Sequence, residues 1–198
     1  MHGLDGAELY VITRPSRRVA YPRMVEAAIR GGADLIQFRD KTLSDGEFLE
    51  AARAVLAICR RHRVPLIIND RADAAALVGA DGLHLGQDDL PVGEARKLFH
   101  GFIGKSCHAP RQTLAALAAR AHYVTAGPVY GTPTKPGYAP VGLRLVRWTA
   151  RHAGRTPWVA IGGITEHNVG NVIRAGAARV AVVRAGCGAG GPREIEAA

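Results

Sequence analysis

Short apolar runs alternate with longer amphipathic stretches along almost the whole chain. Runs at 9–13, 34–39, 65–70, 82–86, 102–106, 122–129, 157–163 and 179–185 have the length and aliphatic content of strands. Most are continuously apolar, the pattern of strands buried on both faces of a parallel sheet. Helical spacing of apolar residues occupies 21–30, 73–78, 92–99, 111–120, 143–153 and 168–175, and several of these segments run into glycines such as Gly31, Gly79 and Gly176. One more helix begins after Ser44, with Phe48, Ala51, Val55, Leu56 and Cys59 along one stripe. Ser44 suits its first turn, and Arg60, Arg61, His62 and Arg63 suit the negative pole of its dipole. Cys59 lies on that apolar stripe and reads as a core residue.

Alternating β and α units fold as an open doubly wound sheet or as a closed barrel. Eight units without a long insertion favour the barrel. The expected fold class is therefore α/β, a (β/α)8 TIM barrel in a single domain spanning 1–198. Only residues 187–198 follow the last strand and its turn, and Gly188, Gly190 and Gly191 cluster there, leaving room for no more than a truncated eighth helix.

Composition adds three constraints. At 198 residues, 47% hydrophobic, the chain has ample material for one core, but at 6% aromatic that core must be built from Ala, Val, Leu and Ile. A formal net charge of +9 favours phosphorylated or otherwise anionic partners. No run of five Lys or Arg residues and no aromatic-rich RNA-binding motif occurs, so nucleic acid is not an expected partner. Cys59, Cys107 and Cys187 form no C-x-x-C pair and read as reduced thiols of a cytoplasmic protein. The N-terminus carries no signal-peptide pattern, and no stretch of about 18 apolar residues exists to cross a membrane.

In a barrel of this kind the chemistry sits at the C-terminal ends of the strands. There the chain places Gln37, Phe38, Arg39, Asp40 and Lys41; Asn69 and Asp70; Gln87, Asp88 and Asp89; Ser106 and His108; Thr132, Pro133, Thr134 and Lys135; Gly162 and Gly163; and Val183 and Arg184. Arg39, Lys41 and Lys135 would converge as a cradle for a pyrophosphate. Asp70 and Asp89 beside them suggest a hard cation, Mg²⁺, shared with phosphate oxygens. Gly162 and Gly163 offer bare backbone N–H groups where barrel enzymes bind phosphate, or else simply make a tight turn. The irregular segment from Gly127 to Gly142 is long enough to cover the site. His84 lies inside a strand and reads as a hydrogen-bonded core residue; His108 is open to either reading. Ser106 lacks a nucleophile elbow and reads as a hydrogen-bonding group.

The ordered set Gln-Phe-Arg-Asp-Lys (37–41), Ile-Asn-Asp-Arg (68–71), Ala-Asp-Gly-Leu-His-Leu-Gly-Gln-Asp-Asp (80–89), Gly-Lys-Ser-Cys-His (104–108), Gly-Pro-Val-Tyr-Gly-Thr-Pro-Thr-Lys (127–135) and Ala-Ile-Gly-Gly-Ile (160–164) resembles the thiamine phosphate synthases. The resemblance implies condensation of 4-amino-2-methyl-5-pyrimidinylmethyl pyrophosphate with 4-methyl-5-(2-phosphoethyl)thiazole, with release of pyrophosphate. It implies that Gln37 through Lys41, Asn69, Ser106 and Lys135 hold the pyrimidine pyrophosphate. Arg39, Lys41, Ser106 and Lys135 would be the catalytic groups, with Mg²⁺ on Asp70 and Asp89. It implies that Thr132, Pro133, Thr134, Gly163, Val183 and Arg184 line the thiazole phosphate site, Arg184 standing where the family usually has Ser. A dimer or similar homo-oligomer is implied as well. Two alternatives stay open: a related thiazole tautomerase using His108 as acid and base, and a phosphate-binding homologue without turnover.

Overall fold

The chain is described here from a computed structural model, which covers residues 4, 6–16, 18–132, 137 and 139–183. Among the described residues eight strands alternate with seven helices: β1 Leu9–Ile12, α1 Tyr21–Arg30, β2 Leu35–Phe38, α2 Asp45–His62, β3 Leu66–Asn69, α3 Ala72–Val78, β4 Gly82–Leu85, α4 Val92–Leu98, β5 Phe102–Cys107, α5 Pro110–Ala118, β6 Tyr123–Ala126, α6 Gly142–His152, β7 Trp158–Ile161, α7 Val169–Arg174 and β8 Val180–Val182. All strands pair in parallel in chain order, and β8 closes on β1 with Tyr10 opposite Ala181. The expected (β/α)8 barrel is the observed fold. The expected eighth helix falls in residues 184–198, outside the described residues.

The strands are shorter than the apolar runs that announced them. The run at 122–129 yields only Tyr123–Ala126, ending before Pro128, which has no N–H to donate to a ladder, although the Val129 N–H still donates to the Ile161 carbonyl (2.8 Å). Helix α2 starts as its sequence indicates: the Glu47 carboxylate accepts hydrogen bonds from the Ser44 N–H (2.9 Å) and the Ser44 hydroxyl (2.6 Å).

Two apolar layers hold the barrel. The outer one packs helices on strands and takes in Cys59, Val55, Phe38 and Leu83, all fully buried. The inner one fills the barrel with Tyr10, Ile12, Leu35, Ile67, Tyr123, Val159 and Ala181, and Leu4 joins it. Aromatic rings enter this narrow lumen because glycines make room for them. A methyl group at Gly82 would lie 2.5 Å from the Phe102 ring, and one at Gly104 would lie 2.0 Å from the Tyr123 ring. The lumen is thus a packed core beneath the strand ends.

Candidate active site

A cavity of about 280 Å³ opens at the C-terminal ends of β2 to β5. Arg39, Lys41, Asn69, Asp70, Gly86, Gln87, Asp88, Asp89, Ser106 and Gly137 line it. Six of the residues singled out from sequence (Arg39, Lys41, Asn69, Asp70, Asp89 and Ser106) are therefore brought together from four different strands.

Each is held by its own local device. The Thr13 hydroxyl at the end of β1 accepts the Arg39 N–H (2.9 Å) and donates to the Arg39 carbonyl (3.3 Å), fixing the backbone from which Arg39 projects. Asp70 adopts a left-handed backbone, φ 62°, an uncommon conformation for a non-glycine residue and one that concentrates at functional sites. Its N–H donates to the His84 carbonyl (2.8 Å), tying the end of β3 to β4. Asp89 is aimed by the Gly86 N–H, which donates to its Oδ2 (2.6 Å).

The electrostatics of Asp70 and Asp89 are those of a tight pair. Burial, followed by the Asp89 carboxyl beside it, raises the pKa of Asp70, while Lys41 Nζ at 3.0 Å from Asp70 Oδ2 opposes the rise. Asp89 moves the other way. Burial disfavours its charge, but a hydrogen bond from Asp70, the Gly86 N–H, Lys41 and Lys105 together outweigh that cost. Asp70 thus holds its proton more tightly than Asp89 does, and the two are electrostatically linked. Two neighbouring carboxyl groups are a pair of hard oxygen donors whose mutual repulsion a divalent cation would relieve. Among the described residues no group of three or more His, Cys, Asp or Glu side chains forms a metal-holding cluster.

Beneath the cavity a file of buried polar groups crosses the barrel. Gln37 Nε2 donates to the Tyr10 hydroxyl (2.6 Å), which meets the Tyr123 hydroxyl (3.2 Å). Tyr123 meets His84 Nδ1 (2.8 Å), and His84 Nε2 meets Ser106 Oγ (2.9 Å). Burial raises the pKa of both tyrosines, so each keeps its proton. The Tyr10, Tyr123 and Ser106 hydroxyls and the His84 ring nitrogens can each donate or accept, so the file is continuous whichever way its protons run. Sequence reasoning took His84 for a core histidine, which it is, and missed Tyr10 and Tyr123. Their signal was polar tips at inward positions of otherwise apolar strands.

Other expected site residues lie elsewhere. The Phe38 side chain is buried outside the barrel between the rings of Tyr21 (4.9 Å) and Phe48 (4.8 Å), so only its backbone faces the strand ends. The Asp40 carboxylate is engaged by its own loop, accepting from the Thr42 N–H (2.6 Å), the Thr42 hydroxyl (2.7 Å), the Leu43 N–H (3.1 Å) and the Tyr21 hydroxyl. Gly163, φ 63°, packs against the segment after β6, where an added methyl would lie 2.7 Å from the Gly131 carbonyl and 2.8 Å from Tyr130 Cβ. Val183 packs against the inner core. Thr132 is half-buried in the same segment and is not among the cavity-lining residues. His108 also stands apart from the lining, its Nδ1 facing the Gly127 carbonyl. Pro133, Thr134, Lys135 and Arg184 lie outside the described residues.

Cations, a carboxylate pair and a hydroxyl gathered at the C-terminal mouth of a parallel barrel define the class of barrel enzymes that work on phosphorylated small molecules. Comparison with known proteins narrows the class. Residues 9–185 match the thiamine monophosphate synthase family, and the chain belongs to that family, whose members are transferases of thiamine biosynthesis. It is 49% identical over 160 residues to the thiamine-phosphate synthase of Thermus thermophilus, covering 81% of this chain and 78% of that one. It is 44% identical over 198 residues to that of Acidothermus cellulolyticus, covering 98% and 93%. Some relatives are longer: the chain spans about half of the Synechocystis protein, 53% of its length. Among solved structures it resembles the thiamine phosphate pyrophosphorylase of Pyrococcus furiosus, with a TM-score of 0.87 at 30% identity over 96% of this chain and 92% of that one. Among the described residues no helix is long and apolar enough to cross a membrane.

Proposed function

We propose that the protein joins 4-amino-2-methyl-5-pyrimidinylmethyl pyrophosphate to 4-methyl-5-(2-phosphoethyl)thiazole, giving thiamine phosphate and pyrophosphate. The observation that carries the proposal is the meeting of Asp70 and Asp89 with Arg39, Lys41 and Ser106 around one cavity. Asp70 and Asp89 would hold Mg²⁺, which would supply positive charge against the charge that grows on departing pyrophosphate.

The chain's own groups do the rest. Arg39 and Lys41, with Lys135, hold the pyrophosphate oxygens, and the Ser106 hydroxyl donates to one of them. The file through Gln37, Tyr10, Tyr123 and His84 supplies a polar floor for the aminopyrimidine ring. The methylene C–O bond breaks with its electron pair leaving on pyrophosphate. The electron-rich pyrimidine stabilises the cation that results, and the thiazole nitrogen lone pair forms the new C–N bond. No protein nucleophile is required, so rate acceleration comes from positioning and charge stabilisation. Thr132, Pro133, Thr134, Gly163, Val183 and Arg184 belong to the thiazole phosphate side in this reading. The reading carries with it a cytoplasmic location and a dimer-like assembly, the latter checked by size-exclusion chromatography.

The test is pyrophosphate release from the pyrimidine substrate with and without the thiazole and with and without Mg²⁺. Release that needs all three components is the expected result; no product under any of these conditions contradicts it. The tautomerase alternative makes His108 the essential group. The synthase reading instead predicts that His108→Ala costs far less than Asp89→Ala.

A further inference from the structure

Gln87 follows β4 and lines the cavity with Asp70, Asp89 and Ser106, yet no step above uses it. Its Nε2–H donates to the Ser106 carbonyl oxygen. A carbonyl only accepts, so the amide must turn its nitrogen to Ser106 and its oxygen away from it. That oxygen takes no hydrogen bond from the described residues, and it is not sealed from solvent. Ser106 is consequently clamped twice, by Gln87 at its carbonyl and by His84 Nε2 at its hydroxyl (2.9 Å). Gln87 also lies within the turn in which the Gly86 N–H aims Asp89. One residue thus sits between Ser106 and the turn that aims Asp89.

A hard divalent cation of the magnesium type keeps several water ligands, and those polarised waters seek acceptors. The carboxylates of Asp70 and Asp89 would be occupied as ligands, and Arg39 and Lys41 can only donate. Gln87 is the neutral acceptor of the lining whose direction a bond to the protein backbone fixes. We infer that Gln87 is a positioning residue whose Oε1 accepts a hydrogen bond from a cation-bound water while its Nε2 holds Ser106, an inference that rests on the magnesium reading above.

The experiment is pyrophosphate binding to the full chain, followed calorimetrically as free Mg²⁺ is varied, with melting temperature recorded alongside. Gln87→Met removes donor and acceptor together and should raise the half-saturating Mg²⁺ concentration about tenfold or more, the usual size for losing an outer partner of a metal site. Gln87→Glu keeps an acceptor toward the cation but loses the donor to Ser106. It should leave half-saturating Mg²⁺ unchanged or lower while still weakening pyrophosphate. If Gln87→Met proves unstable, Gln87→Asn, whose amide is too short to span both partners, should show the same rise. Unchanged Mg²⁺ dependence in the Met and Asn variants overturns the inference, as does an equal rise in the Met and Glu variants. Pyrophosphate binding that ignores Mg²⁺ in the unaltered protein would instead remove the magnesium reading itself.

Discussion

Lys41 Nζ stands 3.0 Å from Asp70 Oδ2, an ion pair that joins the segments following β2 and β3 across the barrel mouth. The pair is largely solvent-exposed on the lysine side and so contributes little stability, on the order of 0–1 kcal/mol. Its partner carries two costs in the metal-free protein: a left-handed backbone and a carboxyl whose charged form is disfavoured by burial and by Asp89. A carboxyl with a raised folded-state pKa contributes stability below the ordinary carboxylate value and loses it as pH rises through the raised value. Asn tolerates the left-handed region and carries no charge. Asp70→Asn should therefore leave the melting temperature of the metal-free protein unchanged or raise it by about 2–4 °C, while abolishing Mg²⁺-dependent pyrophosphate binding. A large loss of stability would contradict this account of Asp70.

The same shift sets a pH dependence. In the magnesium reading, cation binding would need Asp70 and Asp89 both ionised, and Asp70 holds its proton above the ordinary carboxylate value. Mg²⁺ affinity should fall as pH drops through that raised value, over a range where isolated carboxylates remain charged. Titration of half-saturating Mg²⁺ against pH measures it. A profile that stays flat until the ordinary carboxylate range would be inconsistent with the raised Asp70 carboxyl.

The polar file under the cavity makes a third prediction. Tyr123→Phe removes the one hydroxyl that reaches both Tyr10 and His84, leaving two buried polar groups short of a partner. The expected cost is about 1–3 kcal/mol of stability, together with a raised KM for the pyrimidine substrate, because His84 no longer has its Nδ1 partner to orient it toward Ser106. Denaturant unfolding and steady-state kinetics check the two halves separately.

Gly163 gives a fourth. A methyl group there meets the Gly131 carbonyl at 2.7 Å and Tyr130 Cβ at 2.8 Å, at a backbone φ of 63°. Gly163→Ala should displace the segment after β6 and lower the melting temperature, raising the KM for the thiazole substrate as well. Loss of thiazole affinity with stability intact would assign the glycine to phosphate contact alone.

These residues also mark how far the sequence could be read. The barrel was legible because eight apolar runs and their intervening helices have no other closed arrangement, and the strand-end rule then carried Arg39, Lys41, Asn69, Asp70, Asp89 and Ser106 to one mouth. What periodicity could not supply was the direction of individual side chains. Phe38 and Asp40 belong to the same short motif as Arg39, but pleat alternation sends Phe38 outward, and a loop of its own neighbours takes up Asp40. Tyr10 and Tyr123 were hidden for the converse reason. Bulky residues in buried strands look like ordinary core until Gly104 is seen to admit a ring whose hydroxyl reaches His84.

In the proposed reaction Asp70 and Asp89 act together on one cation at the pyrophosphate. The decisive measurement is the rate of thiamine phosphate formation as a function of free Mg²⁺ for the unaltered chain and for Asp89→Ala. A rate that vanishes with chelator, and falls about a hundredfold or more in the variant unless Mg²⁺ is raised, is the predicted result. Equal rates in the two proteins at every Mg²⁺ concentration would contradict it.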